Sequence, residues 1–558
     1  MRRRAWLEAR RSRGPLHRSK REKASKTRSL VLPLATTLSA ICLVAACGTS
    51  GTQQHTSAAE GSTSLDFDAA RYERQSLIVD GRTIAVRAYE NIVYVARPVD
   101  TTYQVMNIYV PEAYFQGQGI GAFTAQTAPI FFPNQVGGYM PGKPGTPAGR
   151  GRPPADGGPR GAGTPPPEGV PAGRGGPPRD SGQPSTIAVA LSKGYVVASP
   201  GARGRTTRDT DGRYTGKAPA AIVDLKAAVR YLRHNDARMP GDAEKIISNG
   251  TSAGGALSAL LGASGNSADY APHLEELGAA PARDDIFAVS AYCPITNLEH
   301  ADSAYEWLFN GVNDYKKIEM AMLDYNVQRK EVAGTLTQAQ IALSGALKAQ
   351  FPGYLDSLGL RDAQGRPLRL DSAGNGTFKD YVKSLLIASA QTALDEGRDL
   401  SGLSWLSVQG GKVRDLDFDQ YVRYAGRMKL PPAFDALDLG SGENQLFGTQ
   451  AIDKRHFTAF AQEHSTAADA SLADAEKVKM MNAMRYIGAT GTATSRHWRI
   501  RHGTKDRDTS LAVPTILAAT LQNKGYAVDF ALPWDRPHSG DYDLDALFAW
   551  MERVSLAE

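Results

Sequence analysis

Hydrophobic positions change their spacing several times along the chain, and each change predicts a different element. SLIVDGRTIAVRAY, IVYVA and QVMNIYVPE are short β-branched and aromatic runs broken by turn residues. They predict an antiparallel start to a sheet, with the folded body beginning near Leu65. APIFFPN, GYVVASPG (194–201), IISNG (246–250) and FAVSAYCPI (287–295) are continuously apolar instead. Strands of that kind are buried on both faces, as in a parallel sheet. They are spaced by helix-period stretches such as APAAIVDLKAAVRYLRH (218–234). The alternation predicts an α/β architecture, a mostly parallel sheet with helices on both faces. Two more strands, HWRIRHG (497–503) and YAVDFALP (526–533), flank the helical SLAVPTILAATLQNKG (510–525), which a glycine closes.

Two segments break this pattern. Residues 297–490 are polar and helix-prone, as in SAYEWLFNG, TQAQIALSGALKAQF and AEKVKMMNAMRYIG. They fall between two strands of one sheet, so they predict an inserted helical lid that divides the core into 65–296 and 491–558. Residues 141–184 are mostly Pro, Gly and Arg without a collagen register, and predict a disordered insert. A tolerated surface insertion is the simple account of it; a substrate-gathering arm beside the expected active site is the other.

Charge changes the picture only at the N-terminus. Of 64 Lys/Arg and 58 Asp/Glu, 12 and 2 respectively fall in the first 28 residues, so the remainder carries 52 against 56. The positive formal charge of +6 therefore makes no case for nucleic acid. The basic stretch precedes the uncharged SLVLPLATTLSAICLVAA (29–46), and the run VAAC ends at Cys47. This resembles a bacterial lipoprotein signal (1–46), in which the cysteine is diacylated and becomes the new N-terminus. An uncleaved membrane anchor and ordinary secretion are the alternatives. Residues 47–64 are small and polar and predict a flexible tether. Of three cysteines, Cys42 would leave with the signal, Cys47 would carry lipid, and Cys293 alone remains in the folded body. No disulfide framework is then available.

Candidate chemistry starts at Gly250-Thr251-Ser252-Ala253-Gly254. A G-x-S-x-G pattern alone is weak in a chain with 56 glycines. Here a strand-like run precedes it and a small-residue helix follows, as a nucleophile elbow requires. That fold, the α/β-hydrolase fold, orders its triad Ser, acid, His. Asp506 follows the strand before last, and His538 is the only histidine after the last. His17 and His55 lie in the signal and tether, and His502 is still in its strand and reads as structural. Ser252 is the candidate nucleophile, His538 the general base and Asp506 the residue that orients it. Ala253 N–H and the Gly137-Gly138 loop in PNQVGGYM (133–140), represented by Gly138, are the candidate oxyanion donors. No metal or other cofactor is expected.

YENIVYVARPVD, QVMNIYVPE, PIFFPNQVGGYM, GTSAGGALS, CPITNLEHADSAYEWLFNG, RHGTKDRDTS and PHSGDYD together resemble the bacterial subtype B tannases, esterases of galloyl esters. The resemblance covers about residues 70–555 apart from the Pro/Gly insert. It implies Ser252, Asp506 and His538 as the triad, and Lys429, Glu443 and Asp508 as partners of the galloyl hydroxyls. From residue types alone, Lys429 and Glu443 could be a surface ion pair and Asp508 a helix cap, and the carboxylates could bind Ca²⁺, though without EF-hand-like spacing. The expected protein is thus a lipid-anchored serine esterase acting on a small phenolic ester at the cell envelope. A feruloyl or other phenolic-acid esterase is the nearest rival, and an inactive tannin-binding surface lipoprotein the rival of another class.

Overall fold

The computed structural model describes residues 63–148, 184–323, 326–468 and 470–557. The signal, Cys47, nearly all of the tether and most of the 141–184 insert lie outside the described residues. Thirteen strands are present among them: β1 Glu73–Val79, β2 Arg82–Val93, β3 Val105–Pro111, β4 Pro129–Pro133, β5 Val196–Pro200, β6 Asp242–Thr251, β7 Ala288–Tyr292, β8 Asp314–Leu323, β9 Asn326–Thr335, β10 Leu406–Gln409, β11 Lys412–Leu416, β12 His497–Arg501 and β13 Ala527–Ala531. Nine form one sheet in the order β1-β2-β3-β5-β4-β6-β7-β12-β13. β1, β2 and β3 pair antiparallel, β3 is antiparallel to β5, and every later pair is parallel.

The burial of each strand follows its sequence pattern. PIFFP, VVASP and AVSAY are buried at every position, the signature of central parallel strands covered on both faces. β1, at the edge, alternates and leaves Ile78 76% exposed. The helix Ala253–Ala263 is buried throughout, and small residues let it sit close to β7: a Cβ at Gly262 would lie 2.2 Å from Val289 Cγ2.

Two expectations need correction. Residues 141–148, assigned by composition to the disordered insert, are pinned to the body. Gly142 and Ala202 exchange backbone hydrogen bonds at 3.0 and 2.9 Å, and Gly145 N–H donates to Ser199 Oγ at 2.9 Å. The segment between β7 and β12 is also not purely helical. It carries the hairpins β8–β9 and β10–β11 beside long helices at Gln338–Ser357 and Thr377–Asp395. Gly410 and Gly411, both at positive φ (58° and 72°), make the two-residue turn of the second hairpin.

The inserted segment opens with the helix Leu298–Phe309, which follows β7, and other bonds also join it to the core, among them Tyr421 Oη to Thr504 O at 2.6 Å and Lys217 Nζ to Asp453 Oδ1 at 2.7 Å. Asp302, Tyr305 and Glu306 lie at i, i+3 and i+4 and so share one face. All three hold the loop 427–435. Glu306 Oε1 accepts from Arg427 Nη1 at 2.8 Å, and both side chains are fully buried. Arg427 also donates to the carbonyls of Val312, Phe309 and Lys429 at 2.9, 3.0 and 3.1 Å. Removing one member of a buried pair strands the other charge. Glu306→Gln is therefore expected to destabilise the protein by about 3–5 kcal/mol, read as a lower midpoint in chemical denaturation. A midpoint equal to the parent's would mean that Arg427 is compensated by its carbonyl partners alone.

Candidate active site

Ser252 sits between β6 and the helix Ala253–Ala263 with φ 60° and ψ −123°. A non-glycine residue holds such a conformation only where its surroundings impose it. Here Ser252 N–H donates to Tyr292 O at 2.9 Å, and the helix begins on Ser252 O, which accepts from Ala256 N–H at 2.8 Å. The flanking glycines are steric necessities. A Cβ at Gly250 would lie 2.3 Å from Gly254 O, and one at Gly254 would lie 2.6 Å from Val136 O. The turn thus pushes the Ser252 side chain out of the sheet edge, where it is partly exposed.

The loop after β4 packs directly on this turn. Asn134, buried, donates from Nδ2 to Gly254 O at 3.0 Å and to Ser258 Oγ at 3.0 Å. Gly138 has φ 55°. Its carbonyl accepts from Arg205 Nε at 2.9 Å, while Gly137 O accepts from Met140 N–H at 3.0 Å. The peptide between Gly137 and Gly138 therefore turns its N–H away from that closed turn. Ala253 N–H heads its helix, among the groups that lack an intrahelical acceptor.

Asp506 and His538 meet as their order predicts. His538 Nδ1 lies 2.7 Å from Asp506 Oδ2, in hydrogen-bond contact. Asp506 is buried, and its other oxygen accepts the N–H groups of Asp508 at 2.9 Å and Thr509 at 3.3 Å. The loops that carry them are zipped together: Lys505 N–H donates to Arg536 O at 3.0 Å and Asp535 N–H to Thr504 Oγ1 at 2.7 Å. Past His538 the chain returns to the elbow. A Cβ at Gly540 would lie 1.8 Å from Thr251 Oγ1, the residue before Ser252. Asp541 Oδ1 accepts from Asn249 Nδ2 on β6 at 2.9 Å.

Electrostatics sharpen the pair. Burial opposes the Asp506 charge, but the positive field of His538 and of His502 outweighs it and pulls the carboxyl down to about 2. Burial likewise disfavours the His538 imidazolium, yet Asp506, then Asp508, raise it well above the usual histidine value. His538 Nε2 is buried with no hydrogen-bond partner of its own. His502, expected inside its strand, lies one residue beyond β12; it is fully buried, and that burial lowers it. Burial also pushes the Cys293 thiol up, to about 11.

The second carboxylate of the loop points elsewhere. Asp508 Oδ1 pairs with Lys429 Nζ at 3.0 Å, with the two side chains 14% and 18% exposed. Lys429 Nζ also lies 3.9 Å from the centroid of the Phe434 ring. The Lys429–Glu443 pair considered above does not form: Lys429 takes Asp508. Nor is Asp508 a helix cap, because the helix Ala512–Asn523 starts at Leu511 without a side-chain cap. Glu443 lies in the first turn of the short helix Gly442–Leu446, beside the loop of Gly138. It adds to the burial that raises the Tyr139 hydroxyl, and a Cβ at Gly442 would lie 3.1 Å from Arg205 Cζ.

Several supporting residues were not legible from residue types. Tyr305 accepts the N–H groups of Met428 and Lys429 at 3.1 and 3.0 Å and donates to Arg507 O at 2.9 Å. One buried hydroxyl thus fastens the Lys429 loop to the Asp506–Asp508 loop. Asp302 accepts from the backbone of Phe434 at 2.7 Å and of Asp435 at 3.1 Å. Asp435 in turn accepts from Asn444 Nδ2 at 2.7 Å and contacts His456 Nδ1 at 2.7 Å, joining the Lys429 loop to the Glu443 helix. The i, i+3, i+4 spacing of Asp302, Tyr305 and Glu306 was the available signal. Asn134 and Arg205 had none.

A strained serine elbow on a parallel sheet, with a buried Asp bonded to a partly exposed His after the last two strands, is the arrangement of the α/β-hydrolase class. Residues 178–340 match the BD-FAE family model. The Fusobacterium nucleatum tannase is 50% identical, over 88% of this chain and 99% of that one, with a TM-score of 0.80. The Lactobacillus plantarum tannase is 49% identical over the same shares, also at 0.80. A tannin acyl hydrolase solved in complex with ethyl gallate is 49% identical over 88% of this chain and 99% of that one, at 0.78. No curated protein sequence matches the chain. The chain belongs to the tannase family and is an esterase-type hydrolase.

A histidine must be neutral to take a proton, so with His538 as the proposed general base its raised pKa places the acid limb of kcat/KM above the ordinary histidine value of about 6.5. Asp506→Asn removes the largest raising influence. The limb is expected to move down in pH while the plateau falls by about 10⁴-fold. A pH–rate profile with an unmoved limb would mean that another group titrates there.

Proposed function

We propose that the protein hydrolyses galloyl esters through an acyl-enzyme on Ser252. His538 Nε2 takes the Ser252 proton as Oγ attacks the ester carbonyl, and returns it to the leaving alcohol. Asp506 holds the imidazole in the right tautomer and stabilises the cation that forms. The N–H groups of Ala253 and Gly138 receive the developing oxyanion. Water, activated by the same histidine, then releases gallate and restores the serine.

The observation that carries the reading is the Lys429–Asp508 pair at 3.0 Å, two residues from the carboxylate that serves His538. A galloyl ring presents three adjacent hydroxyls. Asp508 and Glu443 accept their protons, and Lys429 donates to a phenolic oxygen. Charge-assisted hydrogen bonds of this kind contribute roughly 1.5–3 kcal/mol each. The inserted segment 297–490 supplies two of the three partners and acts as a lid over the acyl half. The tannin acyl hydrolases solved with ethyl gallate and with 3,4-dihydroxybenzoate support this substrate class.

Parallel kinetics on methyl gallate and methyl ferulate test the reading. Gallate is expected to turn over faster, and Ser252→Ala to lose about 10⁶-fold in kcat. Faster ferulate turnover would favour the phenolic-acid rival. No turnover of any phenolic ester, with tight tannin binding, would favour a binding lipoprotein.

The same proposal places the enzyme at the cell envelope through lipid on Cys47. VAAC at the end of an uncharged 18-residue run supports it. No helix among the described residues is long and apolar enough to cross a membrane. Cys47→Ser is expected to move the protein from the membrane fraction to the soluble fraction of a bacterial expression host. Retention on the membrane would rule the lipid out as the anchor.

A further inference from the structure

Behind the Asp506–His538 pair lies a second group of ligating atoms. Cys293 Sγ, a ring nitrogen of His502 and a carboxylate oxygen of Asp506 all lie within 4.8 Å of one another. The three side chains are 0%, 0% and 3% exposed. Topology brings them together: Cys293 follows β7, His502 follows the adjacent parallel β12, and Cys293 N–H donates to Arg501 O at 2.7 Å. Cys293 also holds a left-handed backbone, φ 47°, which the esterase chemistry does not explain.

His502 supplies the independent observation. Both of its ring nitrogens are buried and neither has a hydrogen-bond partner. Proteins seldom leave a buried polar ring in that state. The Thr509 backbone lies near the ring without completing a hydrogen bond. Asp506 Oδ2 is 3.6 Å from Nδ1. That is too long for a hydrogen bond, but close to the separation of about 3.4 Å between two ligands on one tetrahedral zinc-sized ion.

We propose that Cys293, His502 and Asp506 form an inhibitory binding site for a thiophilic divalent cation of the zinc class. As the sulfur–metal bond forms, the thiol proton passes to solvent, the imidazole binds neutral, and Asp506 binds as the carboxylate. Two negative ligands then balance the two positive charges of the ion, so the buried assembly is neutral. The Ser539 carbonyl, which accepts the thiol at 3.4 Å, loses that donor and faces the ion as a fourth ligand. An Asp506 oxygen shared with a cation no longer stabilises the His538 imidazolium, and turnover stops. The binding stands on the cluster alone; only its inhibitory consequence rests on the proposed role of Asp506.

The test uses the full chain with Cys42→Ser and Cys47→Ser, so that Cys293 is the one thiol. Titration with Co²⁺ is expected to give one equivalent bound, with a thiolate-to-cobalt charge-transfer band. Zn²⁺ should inhibit methyl gallate hydrolysis, with recovery on adding EDTA. Adding Cys293→Ser should abolish the cobalt band, keep metal-free turnover, and raise the inhibiting Zn²⁺ concentration by at least about tenfold. Cys293→Ala serves if the serine variant does not fold. Absence of the band in the chain that keeps Cys293 would overturn the proposal whatever the variants do. So would equal zinc sensitivity with and without the thiol. If the esterase reading itself failed, turnover would be missing from the start while the cobalt band would still report the site.

Discussion

The site depends on one buried carboxylate that makes two kinds of bond at once. One oxygen of Asp506 holds His538 Nδ1, and the other holds the backbone N–H groups of Asp508 and Thr509. A charge buried to 3% exposure is tolerated only when it is hydrogen-bonded, and here three donors reach it. The second bond is a short side-chain-to-backbone turn of the kind aspartate favours. It fixes the direction in which Asp508 leaves the chain. The spacing of two carboxylates in KDRD is thus structural as well as chemical: the first sets the aim of the second.

What Asp508 aims at is built from the inserted segment, so the two halves of the site need an exact register between distant stretches of chain. One helix face contributes much of it, beside bonds such as Tyr421 Oη to Thr504 O at 2.6 Å. Glu306 holds Arg427, Tyr305 holds the backbone of Met428 and Lys429, and Asp302 holds that of Phe434 and Asp435. The Tyr305 hydroxyl closes the circuit by donating to Arg507 O. A surface Lys–Asp pair contributes only about 0–1 kcal/mol and sets little. Here its members are mostly buried and their backbones are clamped, so the pair is held in place, and under the proposed function it is the partner of substrate hydroxyls.

Much of this was legible before the structure. The continuous apolar runs became the central parallel strands, and the elbow, the Asp506–His538 pair and the antiparallel start fell where their patterns put them. The hairpins of the inserted segment were missed because DYKKIEMAML and NVQRKEVAGT are rich in helix-favouring Lys, Glu, Met and Ala, which hid their alternation. The edge of the Pro/Gly insert was placed too early, since residues 141–148 are held by hydrogen bonds to Ser199 and Ala202, at the end of β5, that composition does not reveal. Lys429, Glu443 and Asp508 were singled out as substrate partners only through the family resemblance, and that role remains part of the proposed function. Their residue types also suit a surface ion pair or a cap, and only tertiary contacts decide between those roles.

The most direct test of the divided labour of Asp506 and Asp508 is the ratio of kcat/KM for methyl gallate to that for methyl benzoate, measured in Asp508→Asn and in the parent enzyme. A site built to bond hydroxyls rejects an analogue lacking them by about 10⁴-fold. The account predicts that Asp508→Asn collapses this ratio mainly through loss of gallate turnover while benzoate hydrolysis changes little. An equal fall on both esters would contradict it, and would place Asp508 with the catalytic pair rather than with the acyl ring.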